Sequence, residues 1–413
     1  DRLRMHNKWV SGRIQVKFIE KMYLKLTNKI FRGFRYIPEL FKGKKIFFIK
    51  WSSRVCIIGV FPPPLTGMTL INEYIVKSVS SITNPLIINY SPGRLNRTLI
   101  GFLLKLNMVA YGFIRLLLSL LLGRVASVYI GLSGSNGQTY DELFIFISRI
   151  FARKIYIHHH SYKYINKFSW LAFLLFATAG KRATHIVACE KMANDLKIKY
   201  PAVYDVRVIS GIAAIDQWQG HVTPRTKINT VGFLSNISIE KGIMEYLDIA
   251  ERAKQAGFPI SFIIAGPYFD QKTKELVENR VREISNVTYV GGVYGQKKQN
   301  FFSSIDLYLF PTKYEHESEG LVIHEAMSQA VPVISYNRGC IEQIISDKVG
   351  KRFTVKENYV DGAIDQIAKW ISDSESFHRI SCNALKQHQE AKRLHSKRID
   401  NLCAELVSKV SDL

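Results

Sequence analysis

The chain has 413 residues, of which 47% are hydrophobic, and its formal net charge is +23. This composition excludes a disordered or fibrous protein. The length favours two domains, because a single core stops growing at about 250–300 residues. The charge is uneven, since residues 1–50 hold 14 Lys and Arg against 3 Asp and Glu. An acidic partner is therefore expected, and nucleic acid, anionic lipid or a phosphorylated substrate would each satisfy it.

The cysteines and the N-terminal residues bear on the cellular compartment. The five cysteines are scattered without metal-ligand spacing, which predicts free core thiols in a reducing environment. Residues 1–50 lack the apolar block and small-residue cleavage site of a secretory signal. We therefore expect a cytoplasmic protein.

The first half of the chain alternates short apolar runs with helical stretches. Continuous apolar runs predict buried parallel strands, because a sheet covered on both faces lacks the alternation of a half-exposed strand. Six such runs occur, at residues 54–61, 86–90, 127–131, 154–158, 185–189 and 206–209. Helical segments between them indicate an α/β unit.

The most apolar helical segment, residues 97–124, carries a basic stripe. Its longest uncharged run is nine residues, well short of the ~20 that a membrane span needs. At 100° per residue, one narrow face contains Arg97, Lys105, Arg115 and Ser119. This pattern predicts a helix in the membrane interface with the stripe towards anionic headgroups. The alternative is a core helix with one solvent-exposed edge.

The second half repeats the α/β pattern after a break. Residues 216–227 are polar and contain Gly and Pro, which predicts an interdomain linker. Five more β-rich runs follow, at residues 229–234, 260–266, 287–292, 306–310 and 331–336. Two successive Rossmann-like units with a cleft between them are therefore expected. Ligands of open parallel sheets bind beyond the carboxyl ends of the strands, so loops from both units should face this cleft.

Two glycine-bearing loops of the first unit are candidate anion sites. The loop after the first strand holds three prolines and Gly67, with a helix expected to begin near Thr69. A helix N-terminus after a glycine turn binds anions, although an ordinary strand-to-helix turn has the same sequence. The glycines at 131, 134 and 137 lack the two-then-three spacing of the dinucleotide fingerprint, which argues against nicotinamide and flavin cofactors.

A run of three histidines ends the fourth predicted strand. Strand alternation places His158 and His160 on one face and His159 on the other. Two histidines do not form a metal site without a third ligand. The run is either a polar strand end at the cleft or a solvated strand terminus.

The segment around Lys241 is a further candidate for contact with an anion. Ser238 is placed to cap a helix, and Lys241 is expected in the first turn of that helix. A lysine at the positive end of a helix dipole is unfavourable unless it meets an anion, which suggests a phosphate partner. The alternative is a lysine extended into solvent.

Two carboxylates flank a strand-to-helix loop near residue 320. Glu317 is expected in the loop, Gly320 permits close backbone approach, and Glu325 falls on the following helix. Such a pair could grip the hydroxyls of one polar ligand from two sides. A general acid/base pair for glycoside hydrolysis is the rival interpretation.

At these residues the chain resembles the retaining glycosyltransferases of family 4, which have the two-Rossmann GT-B fold. The most specific similarity is Glu317 and Glu325 with seven residues between them, followed by AMSQAVPVIS. The resemblance implies that Glu317 contacts the donor sugar and that Glu325 holds the ribose hydroxyls of the nucleotide. It also implies that Gly320 and Leu321 offer backbone amides to the sugar and the diphosphate.

Further positions carry over with some substitutions. The resemblance implies that Lys241 binds the diphosphate, although Asn236 stands where the family usually has Arg. Gly67 matches the first glycine of the first-domain pair, and Met68 replaces the second. The remaining correspondences are His160 on the acceptor side and donor sugar, His158 beside it, and Val293 at the base-binding backbone. Ala330 stands where the family usually has Gly.

The resemblance implies a hexosyltransferase-type enzyme that retains anomeric configuration without a metal or other cofactor. The sequence agrees, since it contains no Asp-x-Asp pair. We expect a nucleotide-sugar donor, UDP-linked, and a lipid-linked glycan acceptor in bacterial polysaccharide assembly. The protein is expected on the anionic inner face of the plasma membrane.

The expected architecture has four parts. They are a basic arm (residues 1–50), an acceptor-side domain (51–218), a nucleotide-sugar domain (219–390) and a C-terminal helix packing back on the first domain (391–413).

Two alternatives come from other functional classes. Net charge alone suggests a nucleic-acid binder, but no aromatic–basic module is recognisable, so no nucleic-acid partner is expected. Asn236 and Met68 suggest a non-catalytic glycan-binding or scaffold protein on the same fold. The presence of Glu317, Glu325 and Lys241 argues against that alternative.

Overall fold

Two six-stranded sheets, parallel throughout, form the framework. The computed structural model describes residues 54–408 except 94, 96, 97 and 216–219. The strands are β1 (Arg54–Gly59), β2 (Leu86–Asn89), β3 (Val125–Leu132), β4 (Lys154–His159), β5 (Ala183–Val187), β6 (Asp205–Val208), β7 (Thr230–Leu234), β8 (Ser261–Ala265), β9 (Val287–Tyr289), β10 (Leu307–Phe310), β11 (Val333–Tyr336) and β12 (Gly350–Phe353). The sheet orders are β2-β1-β3-β4-β5-β6 and β12-β11-β10-β7-β8-β9.

Helices connect the strands and cover the sheets. They are α1 (Gly67–Ser80), α2 (Leu99–Leu121), α3 (Gln138–Ile150), α4 (Lys163–Asn166), α5 (Trp170–Ala179), α6 (Glu190–Lys199), α7 (Ile243–Gln255), α8 (Gln271–Glu283), α9 (Gln296–Ser304), α10 (Leu321–Ser328), α11 (Ile341–Ile344), α12 (Tyr359–Ser372) and α13 (Ser374–Ser408). This α/β architecture with two Rossmann-like units confirms the predicted fold class. The basic arm and the start of the predicted linker lie outside the described residues.

One strand was missed by the sequence pattern. Each of the other strands coincides with a predicted β-rich run, but β12 does not. Lys351 and Arg352 occupy its middle and are half-buried, while Gly350 and Phe353 are buried. Since β12 lies at the end of the sheet order, its central side chains reach solvent and the run is not continuously apolar.

The C-terminal helix α13 returns to the first sheet, as predicted. Ile399, Leu402 and Leu406 are fully or almost fully buried in one core with β1 and β3 residues. The Ser127 hydroxyl donates a hydrogen bond to the Leu406 carbonyl at 2.8 Å. The predicted boundary at 390/391 lies within this helix, which is continuous from Ser374 to Ser408.

The strand order identifies the edge where ligands would bind. In the first sheet β1 lies between β2 and β3, and in the second β7 lies between β10 and β8. The chain direction of successive connections therefore reverses beside β1 and beside β7. Crevices open at such switch points, outside the carboxyl ends of the strands. The loops after β1, β3, β7 and β10 line these crevices.

The basic stripe of the apolar helix α2 faces the protein, whereas the sequence prediction placed it towards lipid headgroups. The Lys105 ammonium is half-buried and lies 5.6 and 5.2 Å from the ring centroids of Tyr90 and Tyr140. Arg115 donates to the Ile87 carbonyl at 3.3 Å. The basic stripe is thus directed towards the protein, because aromatic faces and a carbonyl attract the two cations there. Arg97 lies outside the described residues.

The outward face of α2 is apolar instead. Exposed large side chains on it are Leu99, Ile100, Phe102, Leu103, Leu104, Leu106, Tyr111, Ile114, Leu118 and Leu121. Within the described residues, α2 alone is long and apolar enough to cross a membrane by length and composition. Its inward face, however, packs on β2 and α3. We call the exposed side the α2 apolar face.

Two of the cysteines are paired, contrary to the prediction of free thiols. Cys189, which precedes α6, forms a disulfide with Cys340, which precedes α11, and their Cα atoms lie 5.8 Å apart. The pairing was missed because a sequence separation of 151 residues gives no spacing signal. Cys56, Cys382 and Cys403 are free thiols. The disulfide therefore ties the first domain to the second.

Candidate functional site

Lys241 and Glu317 meet at the carboxyl ends of β7 and β10. The Lys241 ammonium lies 2.5 Å from Oε2 of Glu317, and the two side chains are only 18% and 11% exposed. The Thr312 hydroxyl is 3.4 Å from the same carboxylate oxygen. Two residues chosen from separate sequence motifs thus form one ion pair at the switch point of the second sheet.

The backbone around Lys241 differs from the sequence prediction. Ser238 caps a short 3-10 turn, Ile239–Lys241, by accepting from the Lys241 amide. The α-helix begins only at Ile243, so Lys241 precedes it instead of lying in its first turn. Gly242 has φ +84°, and a Cβ there would lie 2.2 Å from the Pro311 carbonyl oxygen. This glycine lets the Lys241 turn approach the loop that carries Glu317.

Aromatic rings hold the Lys241 side chain in place. Its ammonium lies 4.6 Å from the ring centroid of Tyr314 and 5.5 Å from that of Phe310. A cation over aromatic faces is stabilised by about 0.5–2 kcal/mol. The two rings and the Glu317 carboxylate therefore stabilise the positive charge of Lys241 at the cleft, although the side chain is largely buried.

The loop of residues 311–320, here called the acidic loop, packs against the first domain. The Ser318 hydroxyl donates to the His160 carbonyl at 3.2 Å, and the Ser161 hydroxyl lies 3.3 Å from Nδ1 of His316. A Cβ on Gly67 would lie 3.5 Å from Cδ1 of Leu321, the first residue of α10. The acidic loop therefore brings predicted second-domain positions to the first-domain glycine loop and histidine run.

Glu325 is paired with a lysine that sequence analysis did not select. Its side chain is 8% exposed, and Oε1 lies 2.5 Å from the Lys298 ammonium on α9. Gly320, five residues earlier, has φ +69° and forms the N-cap of the helix that carries Glu325. No local pattern links residues 298 and 325, so only the packing of α9 beside α10 reveals this pair.

The histidine run forms a buried network. The ring of His158 is 2% exposed and its Nδ1 lies 2.7 Å from the Tyr129 hydroxyl. His160 stacks on it with ring centroids 4.4 Å apart. Burial lowers the pKa of His160 to about 3, which keeps its ring neutral. Its Nε2 atom is buried without a hydrogen-bond partner in the described structure, so it can still donate to or accept from a ligand.

Three predicted donor positions are not bonded to the Lys241–Glu317 pair in the part of the chain that the structure describes. Asn236 is exposed after β7, Met68 is half-buried in the first turn of α1, and Val293 is half-buried after β9. Within the described residues, no hydrogen bond or ion pair joins them to Lys241 or Glu317. Their roles as ligand contacts stay predictions.

A buried carboxylate, Asp141, braces the strand ends of the first domain. It accepts from the Tyr90 hydroxyl at 2.5 Å and from the Ser133 amide at 2.8 Å. Burial raises its pKa from 3.8 to about 6, despite these two donors and the nearby charge of Lys105. The folded state therefore holds this proton more tightly than the unfolded chain.

We expect Asp141→Asn to flatten the pH dependence of stability. A raised carboxyl pKa favours folding at low pH, and that contribution is lost as pH rises from about 4 to about 6. The loss is roughly 3 kcal/mol for two pKa units of a fully buried group. Asn can accept from the Ser133 amide and donate to Tyr90. Urea unfolding at pH 4 and pH 7 would measure this, and parallel curves for wild type and variant would contradict it.

Comparison with known proteins bears on the second domain most directly. Residues 215–387 match the family model of glycosyl transferases group 1. The chain is 28% identical over 145 residues to sulfoquinovosyl transferase SQD2 of Arabidopsis thaliana, a match that spans 35% of this chain and 26% of that relative's length. The residues that match the family model, 215–387, contain Lys241, Glu317 and Glu325.

Solved structures show the fold. HepE from Anabaena, solved in complex with UDP, superposes with a TM-score of 0.66 at 16% identity, covering 86% of this chain and 99% of that one. Sucrose-phosphate synthase from Thermosynechococcus elongatus gives a TM-score of 0.63 at 15% identity, covering 87% and 99%. The chain therefore has the GT-B fold.

Proposed function

We propose that the protein is a glycosyltransferase that moves a sugar from a UDP-linked donor to a lipid-linked glycan with retention of configuration. The observation that carries this proposal is the Lys241–Glu317 pair at the switch point, in the region that matches glycosyl transferases group 1. A cation and a carboxylate side by side suit a ligand with a diphosphate at one end and hydroxyls at the other. Glu325 lies on the helix that follows the same loop.

The chemistry follows from where charge develops. The bond between the anomeric carbon and the diphosphate oxygen breaks, and a bond from the acceptor oxygen forms on the same face of the sugar. The acceptor proton passes to the departing diphosphate. Lys241 stabilises the negative charge on that diphosphate, while Glu317 positions the sugar and supports its oxocarbenium-like carbon. No step uses a metal or another cofactor.

The acceptor-side proposal rests on the first domain. His160 lies at the cleft with one ring nitrogen unpaired, and His158 supports its ring. Gly67 and Met68 are the first two residues of α1, and amides in the first turn of a helix have no intrahelical partner, so they can meet the donor phosphate. Lipid-linked glycans are carried at the membrane surface, so the acceptor should reach the cleft from the bilayer.

The α2 apolar face supports attachment to the inner face of a bacterial plasma membrane. Its exposed side chains are large and apolar, and neither charged residue of the helix lies among them. A helix with one such face lies in the headgroup–acyl boundary, where apolar burial supplies the binding energy. The basic excess of residues 1–50 adds attraction to anionic lipid.

We expect Leu103→Asp to reduce vesicle binding by about tenfold or more. A charge on the α2 apolar face forfeits the burial of a leucine, about 1.5–3 kcal/mol, and adds a desolvation penalty. Co-sedimentation with vesicles of phosphatidylglycerol and phosphatidylcholine would measure it. Ile198→Asp, at an exposed side chain of α6, is the matched control and should bind like wild type. Equal binding by wild type and Leu103→Asp would show that lipid does not cover this face.

Turnover with purified protein tests the proposed function. UDP-sugars are offered singly with a lipid extract containing polyprenyl-diphosphate-linked glycans, and UDP release and the anomeric configuration of the product are recorded. We expect an α-linked product from an α-linked donor and unchanged turnover with a chelator. UDP binding without turnover of any donor would favour a non-catalytic glycan-binding or scaffold protein instead.

A further inference from the structure

Glu319 is a carboxylate buried between the two domains. It lies in the acidic loop between Glu317 and Gly320, and only 4% of it is exposed. Its Oε2 accepts from the Gly211 amide at 2.9 Å, and its Oε1 accepts from the Ser210 hydroxyl. A buried carboxylate is stable only when hydrogen-bonded, and these contacts supply that requirement.

The partners of Glu319 belong to the exit of the first sheet. Ser210 follows β6 and caps the short turn Gly211–Ala214, because its hydroxyl accepts from the Ile212 amide at 3.0 Å. The Ser210 amide donates to Nδ1 of His395 on α13 at 3.0 Å. The segment gripped by Glu319 is therefore itself fixed to the first domain and to the C-terminal helix.

A second-domain group completes the arrangement. Nε2 of His324, on α10, lies 3.2 Å from Oε1 of Glu319. One carboxylate thus contacts the end of the first sheet and the helix that carries Glu325. Hydrogen bonds are directional, so the amide, the hydroxyl and the imidazole must each occupy a defined position around the carboxylate. Together they fix how the two domains meet at this point.

The same segment presents the proposed donor contacts. Gly320 and Leu321 follow Glu319 directly, and a Cβ on Gly211 would lie 3.0 Å from Cδ2 of Leu321. Leu321 also faces Gly67. A shift of the Glu319 carboxylate would therefore move the amides of residues 320 and 321 relative to the glycine loop of the first domain.

We propose that Glu319 is a positioning residue that latches the acidic loop to Ser210 and Gly211, and so sets the donor-binding loop against the acceptor-side domain. The expected effect on catalysis rests on the proposed glycosyl transfer. The latch itself, which is the set of Glu319 contacts, does not depend on that proposal. Glu319 does not touch the Lys241–Glu317 pair in the described structure, and it acts through the backbone that follows it.

The kinetic arm compares Glu319→Ala and Glu319→Gln. We expect Glu319→Ala to lower kcat about tenfold while Kd for UDP changes less than about threefold, because Lys241 and Glu325 lie within the second domain. Gln keeps one acceptor for the Gly211 amide and the shape of the side chain, so it should restore at least half of kcat. Equal losses in both variants with a lowered Tm would assign Glu319 a purely structural role and overturn the proposal.

The matched control is Glu315→Gln in the same loop. Glu315 also bridges the domains, 2.9 Å from the Lys167 ammonium, but both side chains are exposed. Exposed ion pairs contribute little, so kcat and Tm should equal those of wild type. A loss as large as that of Glu319→Ala would show that any contact across the cleft has this effect, and the specific latch would be wrong.

Hydrogen exchange tests the latch without any substrate. We expect Glu319→Ala to accelerate exchange in residues 317–323 and 210–215 together, at least about fivefold, and Glu315→Gln to leave both unchanged. Reductant is present throughout, so that the Cys189–Cys340 disulfide does not hold the domains. Unchanged exchange in 210–215 would overturn the latch. Coupled acceleration in a protein that turns over no donor would instead uphold the latch and reject the proposed function.

Discussion

Lys241→Ala is expected to lower kcat/KM for the UDP-sugar by about 100- to 1,000-fold. Removing one preorganised group from a site of developing negative charge typically costs about 2.7–4 kcal/mol. Lys241 is preorganised here by Glu317 at 2.5 Å and by the Tyr314 ring at 4.6 Å. Little reorganisation is then needed when the diphosphate arrives. Initial rates with a donor that wild type accepts would measure the loss.

Binding measurements separate the phosphate role of Lys241 from a structural one. Kd for UDP should rise about tenfold to a hundredfold, because a charge-assisted hydrogen bond contributes about 1.5–3 kcal/mol. Kd for uridine should stay unchanged, since it has no phosphate. Equal losses for UDP and uridine would contradict the phosphate role.

The Lys241→Ala variant also leaves the Glu317 carboxylate with a weak partner. Among the described residues, the Thr312 hydroxyl, at 3.4 Å, is the hydrogen-bond partner that remains for the same oxygen. Removing one partner of a buried pair destabilises the fold by leaving an uncompensated charge. The double variant Lys241→Ala, Glu317→Gln should recover Tm without recovering activity. Recovery of activity as well would show that Lys241 serves only to neutralise Glu317.

The fold was predictable because buried parallel strands have a strong local signature. Strands such as β1, β4 and β10 are runs of apolar side chains bounded by turn residues, and they need no long-range information. β12 escaped because an edge strand tolerates Lys351 and Arg352 in its middle. The other end strands, β2, β6 and β9, coincide with predicted β-rich runs. The pattern therefore failed at β12 because of the two charged residues in its middle, and not because the strand has only one neighbour.

The orientation of α2 could not be read from its stripe. Periodicity places Lys105 and Arg115 on one face but does not say which face meets the protein. The rings of Tyr90 and Tyr140 and the Ile87 carbonyl decide it, and all three come from other segments. A basic stripe on an apolar helix can face either the protein or its surroundings. The orientation depends on the surface against which the helix packs.

The backbone at Ala330 bears on the glycine that the sequence resemblance led us to expect there. Ala330 is buried with φ +56°, a left-handed conformation that glycine adopts most readily. A glycine would suit this turn between α10 and β11, and here alanine adopts the same conformation. Lys241, Glu317 and His160, by contrast, lie in loops after strands that the pattern located, while Lys298, the partner of Glu325, required the folded structure.

Glu325→Ala is expected to weaken both UDP and uridine by the same factor, about tenfold to a hundredfold. Both ligands carry the ribose, and a carboxylate bonded to its hydroxyls is worth about 1.5–3 kcal/mol. This outcome differs from that of Lys241→Ala, which should discriminate between the two ligands. Isothermal titration of the two ligands against the two variants gives four affinities that assign each residue to one part of the nucleotide.

The Lys298 ammonium must be considered in this test, because it is paired with the Glu325 carboxylate. It lies 2.5 Å from Oε1 of Glu325, so ribose hydroxyls must share or displace it. In Glu325→Ala the lysine loses this partner but is 23% exposed and can turn towards water, so Tm should fall only slightly. The double variant Glu325→Ala, Lys298→Ala removes that residual charge and should bind uridine as weakly as the single variant. Wild-type affinity for uridine in either folded variant would exclude a ribose role for Glu325, and the pair with Lys298 would then serve only to join α9 to α10.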